Sequence, residues 1–224
     1  MPIALTPEEK RNGCAYLAIS LFLLPGLISL AGDLMHLDAA ATNLIYYIFN
    51  LAFVLWIFRK FLLGNVLVAL DRIFPVIWYG ILGYLGYQTL GELLSVLIRF
   101  LSPGFVNYND AAVGLMVRQS PMLALSIIIF VPIAEETLYR GLIFRGLFGR
   151  KPAFAYLASI LIFAAIHVVG YVGVLSPVHL LLSFVQYLPA GYCLCFVYHR
   201  SGTLVCPILV HTAINAMAVH AFVR

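Results

Sequence analysis

Long uninterrupted apolar runs restrict the fold of this chain more than any other feature. About seven of them are long enough to cross a bilayer, near 14–32, 40–58, 73–98, 117–145, 153–170, 178–198 and 203–222. Inside lipid the backbone must satisfy its own N–H and C=O groups, so only helices and closed barrels can cross. The runs are continuous rather than alternating, which excludes a transmembrane β-barrel. With 63% hydrophobic and 10% charged residues, the chain lies far from a soluble domain, which carries about 45–50% apolar and about 25% charged residues. The expectation is an all-α, polytopic transmembrane bundle of about seven helices, forming a single domain over 1–224.

Charge sets a second expectation. The net charge is +4, and the Lys and Arg residues collect near the ends of the apolar runs. No basic stripe suggests nucleic acid as a partner. If seven spans alternate, Lys10, Arg11, Arg59, Lys60, Arg72, Arg145, Arg150, Lys151 and Arg200 fall on one side, and Arg99, Arg118 and Arg224 on the other. The positive-inside rule then puts the N-terminus in the cytoplasm, in a multi-pass protein of the plasma membrane. Lys10–Arg11 followed by an apolar run resembles a signal peptide, and the run is expected to be retained as a helix. The four cysteines, Cys14, Cys193, Cys195 and Cys206, form no CxxC pair and read as small buried hydrophobes.

Against this background the intramembrane polar residues stand out. Glu135 and Glu136 end the run Leu123–Ala134, where one charge costs on the order of 2.5–3.5 kcal/mol. Glu136 and Arg140 are four apart on a helix and share a face, in the favourable order for an ion pair. Glu135 points roughly 100° away and is the less compensated carboxylate. A raised pKa and a general-base role suit such a group. Later runs add His167, then His211 and Asn215 one turn apart. At about 1.5 Å per residue, Glu135 lies about 15 Å from Arg145, His167 about 21 Å from Ala153, and His211 and Asn215 about 12 and 18 Å from Thr203. All four therefore share one slab of the membrane. Lesser signals are a Glu92–Arg99 pair near a boundary, Gly80, Gly83 and Gly86 for close helix contact, and a kink near Gln186 and Pro189-Ala190-Gly191.

EExxxR at Glu135–Arg140, FxxxH at Phe163–His167 and HxxxN at His211–Asn215 occur in this order in successive runs. In this the chain resembles the CPBP family of CAAX prenyl proteases and bacteriocin-processing proteins, also called Abi, over a core of about 120–220. The resemblance implies an intramembrane endopeptidase of the glutamic type. Glu135 would activate a water with help from His167, and His211 and Asn215 would stabilise the oxyanion. Glu136 and Arg140 would hold the site or contact substrate. The catalytic cavity would lie within the membrane, with a membrane-associated or lipidated protein or peptide as partner and no cofactor. The alternatives are a zinc protease using Glu135, His167 and His211 as ligands, although HExxH is absent, a proton-coupled transporter using the same Glu and His, and a non-catalytic immunity or scaffold protein.

Overall fold

The computed structural model describes residues 3–149 and 151–223; Arg150 and Arg224, which entered the charge expectation, lie outside them. Among the described residues every regular element is helical. The order is α1 (Pro7–Phe22), α2 (Leu24–Leu34), α3 (Ala39–Ile57), α4 (Arg59–Asp71), α5 (Ile73–Leu101), α6 (Tyr108–Gln119) and α7 (Pro121–Glu136). A π-helix (Thr137–Phe144), α8 (Arg145–Phe148), α9 (Pro152–Ile166), α10 (Pro177–Gln186), α11 (Leu188–Ser201) and α12 (Val205–Val223) complete it.

Five helical units are long and apolar enough to cross a membrane: α3, α5, α7 continued to Phe148, α10–α11 and α12. The first expected span is α1 and α2, bent by 48° at Leu23 with Pro25 just beyond. The fifth is α9, only 15 residues long. Each expected span thus contains helix, but the count of unbroken crossings is lower than seven because one is bent and one is short. The outward faces are apolar: Trp56, Phe74, Trp78 and Phe100 are all exposed. That is the surface of a polytopic membrane protein, whose exterior is solvated by hydrocarbon.

Helix contacts follow the small residues. α5 packs along α11 and α12. A Cβ at Gly83 would run into Val197, and Gly80 and Gly86 face Val210 and Cys193. α3 and α12 pack on α7 from two sides. Cys193, Cys195 and Cys206 are buried as expected, whereas Cys14 is exposed; it sits in the first turns of α1, away from the core.

One end of the bundle is tied by charged and polar side chains to backbone. Glu9 closes a capping box with Thr6 at the start of α1, and its Oε1 accepts from the Phe61 N–H at 2.8 Å. Buried Asn65 on α4 accepts from the Leu204 N–H at 2.7 Å, and its own carbonyl accepts from Thr203 Oγ1 at 2.7 Å. Helix α4 therefore lies against the N-terminal segment and the α11–α12 turn. It was not expected from the apolar pattern, because at 13 residues with charged Arg59, Lys60 and Asp71 at its ends it is too short and too charged to read as a crossing. Asn65→Ala would orphan the buried Leu204 N–H, at about 1–3 kcal/mol. Thermal unfolding of the purified variant should show a drop of about 2–4 °C for each kcal/mol lost.

Candidate active site

The site is built where α7 becomes a π-helix. Pro132 sits inside α7 and removes one ladder hydrogen bond. Glu135 and Glu136 are the last two residues of α7, and the next eight residues are wound as π. The extra residue per turn frees main-chain acceptors, and side chains bond them: Ser159 Oγ donates to the Tyr139 carbonyl at 3.0 Å. π segments recur at functional positions for this reason. No apolar periodicity signals such a segment, and sequence reasoning missed it.

Glu136 is fully buried and does not reach the cavity. Its Oε1 accepts from Arg140 Nη1 at 2.8 Å and from His211 Nδ1 at 2.8 Å. Arg140, also fully buried, donates through Nη2 to the Gly191 carbonyl at 3.2 Å and lies 4.4 Å from the centroid of the Phe163 ring. The expected Glu136–Arg140 pair is thus present, with a third member. It joins the π-helix, α9, α11 and α12.

Glu135 is placed differently. It is half-buried, lines a cavity of about 760 Å³, and its Oε2 is buried with no hydrogen-bond partner. The same cavity is lined by His167, His211 and Asn215. The structure therefore brings together all four residues singled out in the sequence. His167 caps the C-terminus of α9, and its Nδ1 lies 2.7 Å from the Phe163 carbonyl. A carbonyl only accepts, so Nδ1 carries the proton and the neutral ring keeps a lone pair on Nε2. His211 likewise donates Nδ1–H to a carboxylate, leaving Nε2 for other contacts. Asn215 uses one amide N–H to hold the Ile127 carbonyl at 2.9 Å, and its second N–H remains.

Residues not foreseen complete the cavity. The Tyr187 ring stacks on His167, centroids 4.2 Å apart. Its hydroxyl donates to Asp110 Oδ1 at 2.7 Å and accepts from Asn109 Nδ2 at 3.0 Å. Tyr187 stands at the break between α10 and α11, so the expected kink is present and presents this ring. Asn107 Nδ2 donates to Gln186 Oε1 at 2.9 Å in the same cluster. The 101–120 region, partly helical as α6, therefore packs over the site. Burial pushes the Asp110 carboxyl above its ordinary value, and the Tyr187 hydroxyl offsets part of this. Tyr46 and Tyr47 of α3 line the opposite wall. Only the break at Tyr187 had a sequence signal, in the neighbouring Pro-Ala-Gly.

The donors do not converge as a metal site would require. Among the described residues no group of three or more His, Cys, Asp or Glu is placed to hold an ion. Both imidazoles use Nδ1 to donate to oxygen acceptors, the Phe163 carbonyl and the Glu136 carboxylate.

Fold and site together define a polytopic helical membrane protein with carboxylate and imidazole groups gathered around an internal cavity. Residues 118–217 match the Rce1-like family of type II CAAX prenyl endopeptidases. The match covers the segment that holds the three motifs, EExxxR, FxxxH and HxxxN, and spans less than half of the 224 residues. No curated protein and no solved structure matches the chain.

The unequal surroundings of the two glutamates predict unequal stability effects. Glu136→Gln leaves Arg140 buried without its counter-ion and should cost about 3–5 kcal/mol. Glu135→Gln removes a carboxylate that has no partner, and its melting temperature should equal or exceed that of wild type. A thermal-shift comparison in one detergent checks both. Asp110 supplies a pH test. Its raised pKa means that the unfolded chain gives up this proton before the folded one does. Stability from this residue is therefore lost as pH rises through the carboxylate range. Asp110→Asn should gain stability relative to wild type as pH rises above the ordinary Asp pKa of about 4, as read from melting temperatures across a pH series.

Proposed function

We propose that this protein is an intramembrane endopeptidase that hydrolyses a peptide bond with water activated by Glu135. The observation that carries the reading is the unpaired Oε2 of Glu135 on a cavity shared with two imidazoles and an amide. The match of residues 118–217 to the Rce1-like family supports peptide hydrolysis in general, and the residues supply the steps.

A water in the cavity gives one proton to the Glu135 carboxylate, while the His167 Nε2 lone pair accepts its other hydrogen as a hydrogen bond and fixes its direction. The water oxygen attacks the scissile carbonyl carbon and the C=O pair moves to oxygen. The oxyanion is met by the free Asn215 N–H and by His211 Nε2–H. The His211 role asks for the protonated ring, with Glu136 as its counter-ion. Donors fixed beforehand at a developing charge are worth about 2.7–4 kcal/mol each. Collapse of the intermediate breaks the C–N bond, and the proton held by Glu135 passes to the leaving amine. One water is consumed, and a carboxyl and an amine are formed. Glu136 and Arg140 act by holding His211 and the π-helix in place.

The substrate class is a membrane-associated or lipidated polypeptide, and the setting is the plasma membrane. The residues are sufficient for this chemistry without a cofactor.

Glu135→Gln should bind substrate and not cut it, so pull-down with this variant captures the natural substrate and gives its cut site by mass spectrometry. With the captured polypeptide in proteoliposomes, Glu135→Gln and His167→Ala should each lower kcat by about 10²–10⁴-fold, while a chelator leaves the wild-type rate unchanged. Full activity of Glu135→Gln would end the proposal, and loss of activity in chelator would move the chemistry to a metal.

A further inference from the structure

The two ends of the bundle differ in charge, and the cavity occupies only one half of it. Hydrogen bonds from Glu9 to Phe61, from Thr203 to Asn65 and from Arg145 to the Ile3 carbonyl gather the N-terminal segment, α4, α8 and the α11–α12 turn at one end. Eight of the described Lys and Arg residues lie there: Lys10, Arg11, Arg59, Lys60, Arg72, Arg145, Lys151 and Arg200. At the opposite end, His179 Nε2 donates to the Val106 carbonyl, and Arg118 Nε to that of Phe222. Only Arg99 and Arg118 carry positive charge at that end, among the described residues.

The floor of the cavity is Glu135, Leu138 and Tyr139, near the middle of the long α7–π–α8 helix. From there the lining runs through His167 and Asn215 to Ser95, Asn109 and Glu92. The Glu92 side chain is 69% exposed, so the cavity reaches the surface beside it. None of the eight residues of the basic end lines the cavity.

We infer that the cavity opens on the extracytoplasmic side, and that the scissile bond is presented from there, on a polypeptide already translocated across or inserted into the membrane. Lys and Arg in short connections stay on the cytoplasmic side, and eight against two is a decisive asymmetry. The mouth lies at the other end. This inference rests on the protease reading of the site and narrows its substrate class. A cytosolic C-terminal tail would meet the closed, hydrogen-bonded end, whereas an exported peptide or the outer end of a membrane anchor meets the mouth.

The test is thiol labelling of the full-length chain in intact cells, with Cys14→Ser as background because Cys14 is exposed. Pro103→Cys reports the far loop, Ser95→Cys the cavity mouth and Lys60→Cys the basic end. A membrane-impermeant maleimide should label the first two in intact cells as strongly as after permeabilisation, and Lys60→Cys only after permeabilisation. Should Ser95→Cys fail to fold, Glu92→Cys reads the same mouth at an exposed position. Labelling of Lys60→Cys from outside overturns the orientation. A folded mouth variant that stays unlabelled until permeabilisation, or throughout, overturns the opening. The readout needs no catalysis. An inverted pattern leaves the protease reading standing, and an active Glu135→Gln leaves the orientation standing.

Discussion

Fully buried Glu136 and Arg140 are the contact on which the rest of the structure depends. Each charge alone would be prohibitive at this depth. Together they are held at 2.8 Å, and four elements supply the surroundings: the π-helix carries Arg140, α9 puts Phe163 against the guanidinium, α11 offers the Gly191 carbonyl and α12 brings His211 to the same carboxylate oxygen. In a bilayer no hydrophobic effect drives these helices together, so close packing and interhelical polar contacts set their register. Moving any of the four would break a contact to a charge that has no water to turn to. The pair thus fixes where the cavity walls stand.

The neighbouring glutamates then divide the work by geometry alone. One residue along a helix turns a side chain by roughly 100°. That turn takes Glu136 into the helix junction and Glu135 to the cavity. A single carboxylate could not both anchor Arg140 and accept a proton, because protonation would abandon the guanidinium. Under the proposed mechanism, two adjacent ones separate anchoring from chemistry. The π-helix follows at once and accommodates Arg140 without displacing Glu135 from the wall. Gly141 in the same segment lets the Phe61 ring of α4 approach where a Cβ would collide. Helix α4 therefore braces the site from the basic end.

The sequence made the membrane class legible because lipid exposure reverses the usual surface rule and leaves long apolar runs. It also made the polar set legible, since Glu135, Glu136, Arg140, His167, His211 and Asn215 are costly where they stand. Depth could be read from residue counting, because rise along a helix is fixed. Three things could not be read. The π-helix arises from tertiary partners such as Ser159, which periodicity does not report. Helix α4 is flanked by charges and too short to cross, so a search for spans passes over it. Tyr187 looked like one of 13 tyrosines, and its stack on His167 depends on the exact angle at the α10–α11 break. The bend at Leu23 belongs with these: its run passed as a single span because hydropathy is blind to direction.

The two ends of the bundle also differ in what holds them. At the basic end, buried Asn65 and Glu9 bond backbone N–H groups of Leu204 and Phe61. Opening there would strand backbone donors in a dry interior, which is costly. At the mouth, side chains bond one another, Tyr187 to Asp110, Asn109 to Tyr187 and Asn107 to Gln186, beside two that bond backbone carbonyls, His179 to Val106 and Arg118 to Phe222. Groups of that kind can exchange partners with water near a surface at little net cost. Because Tyr187 both bonds Asp110 and stacks on His167, a shift of α6 bears directly on the ring at the active site. Tyr187 thus links the α6 wall to the His167 ring, while Glu136 holds His211 through Nδ1.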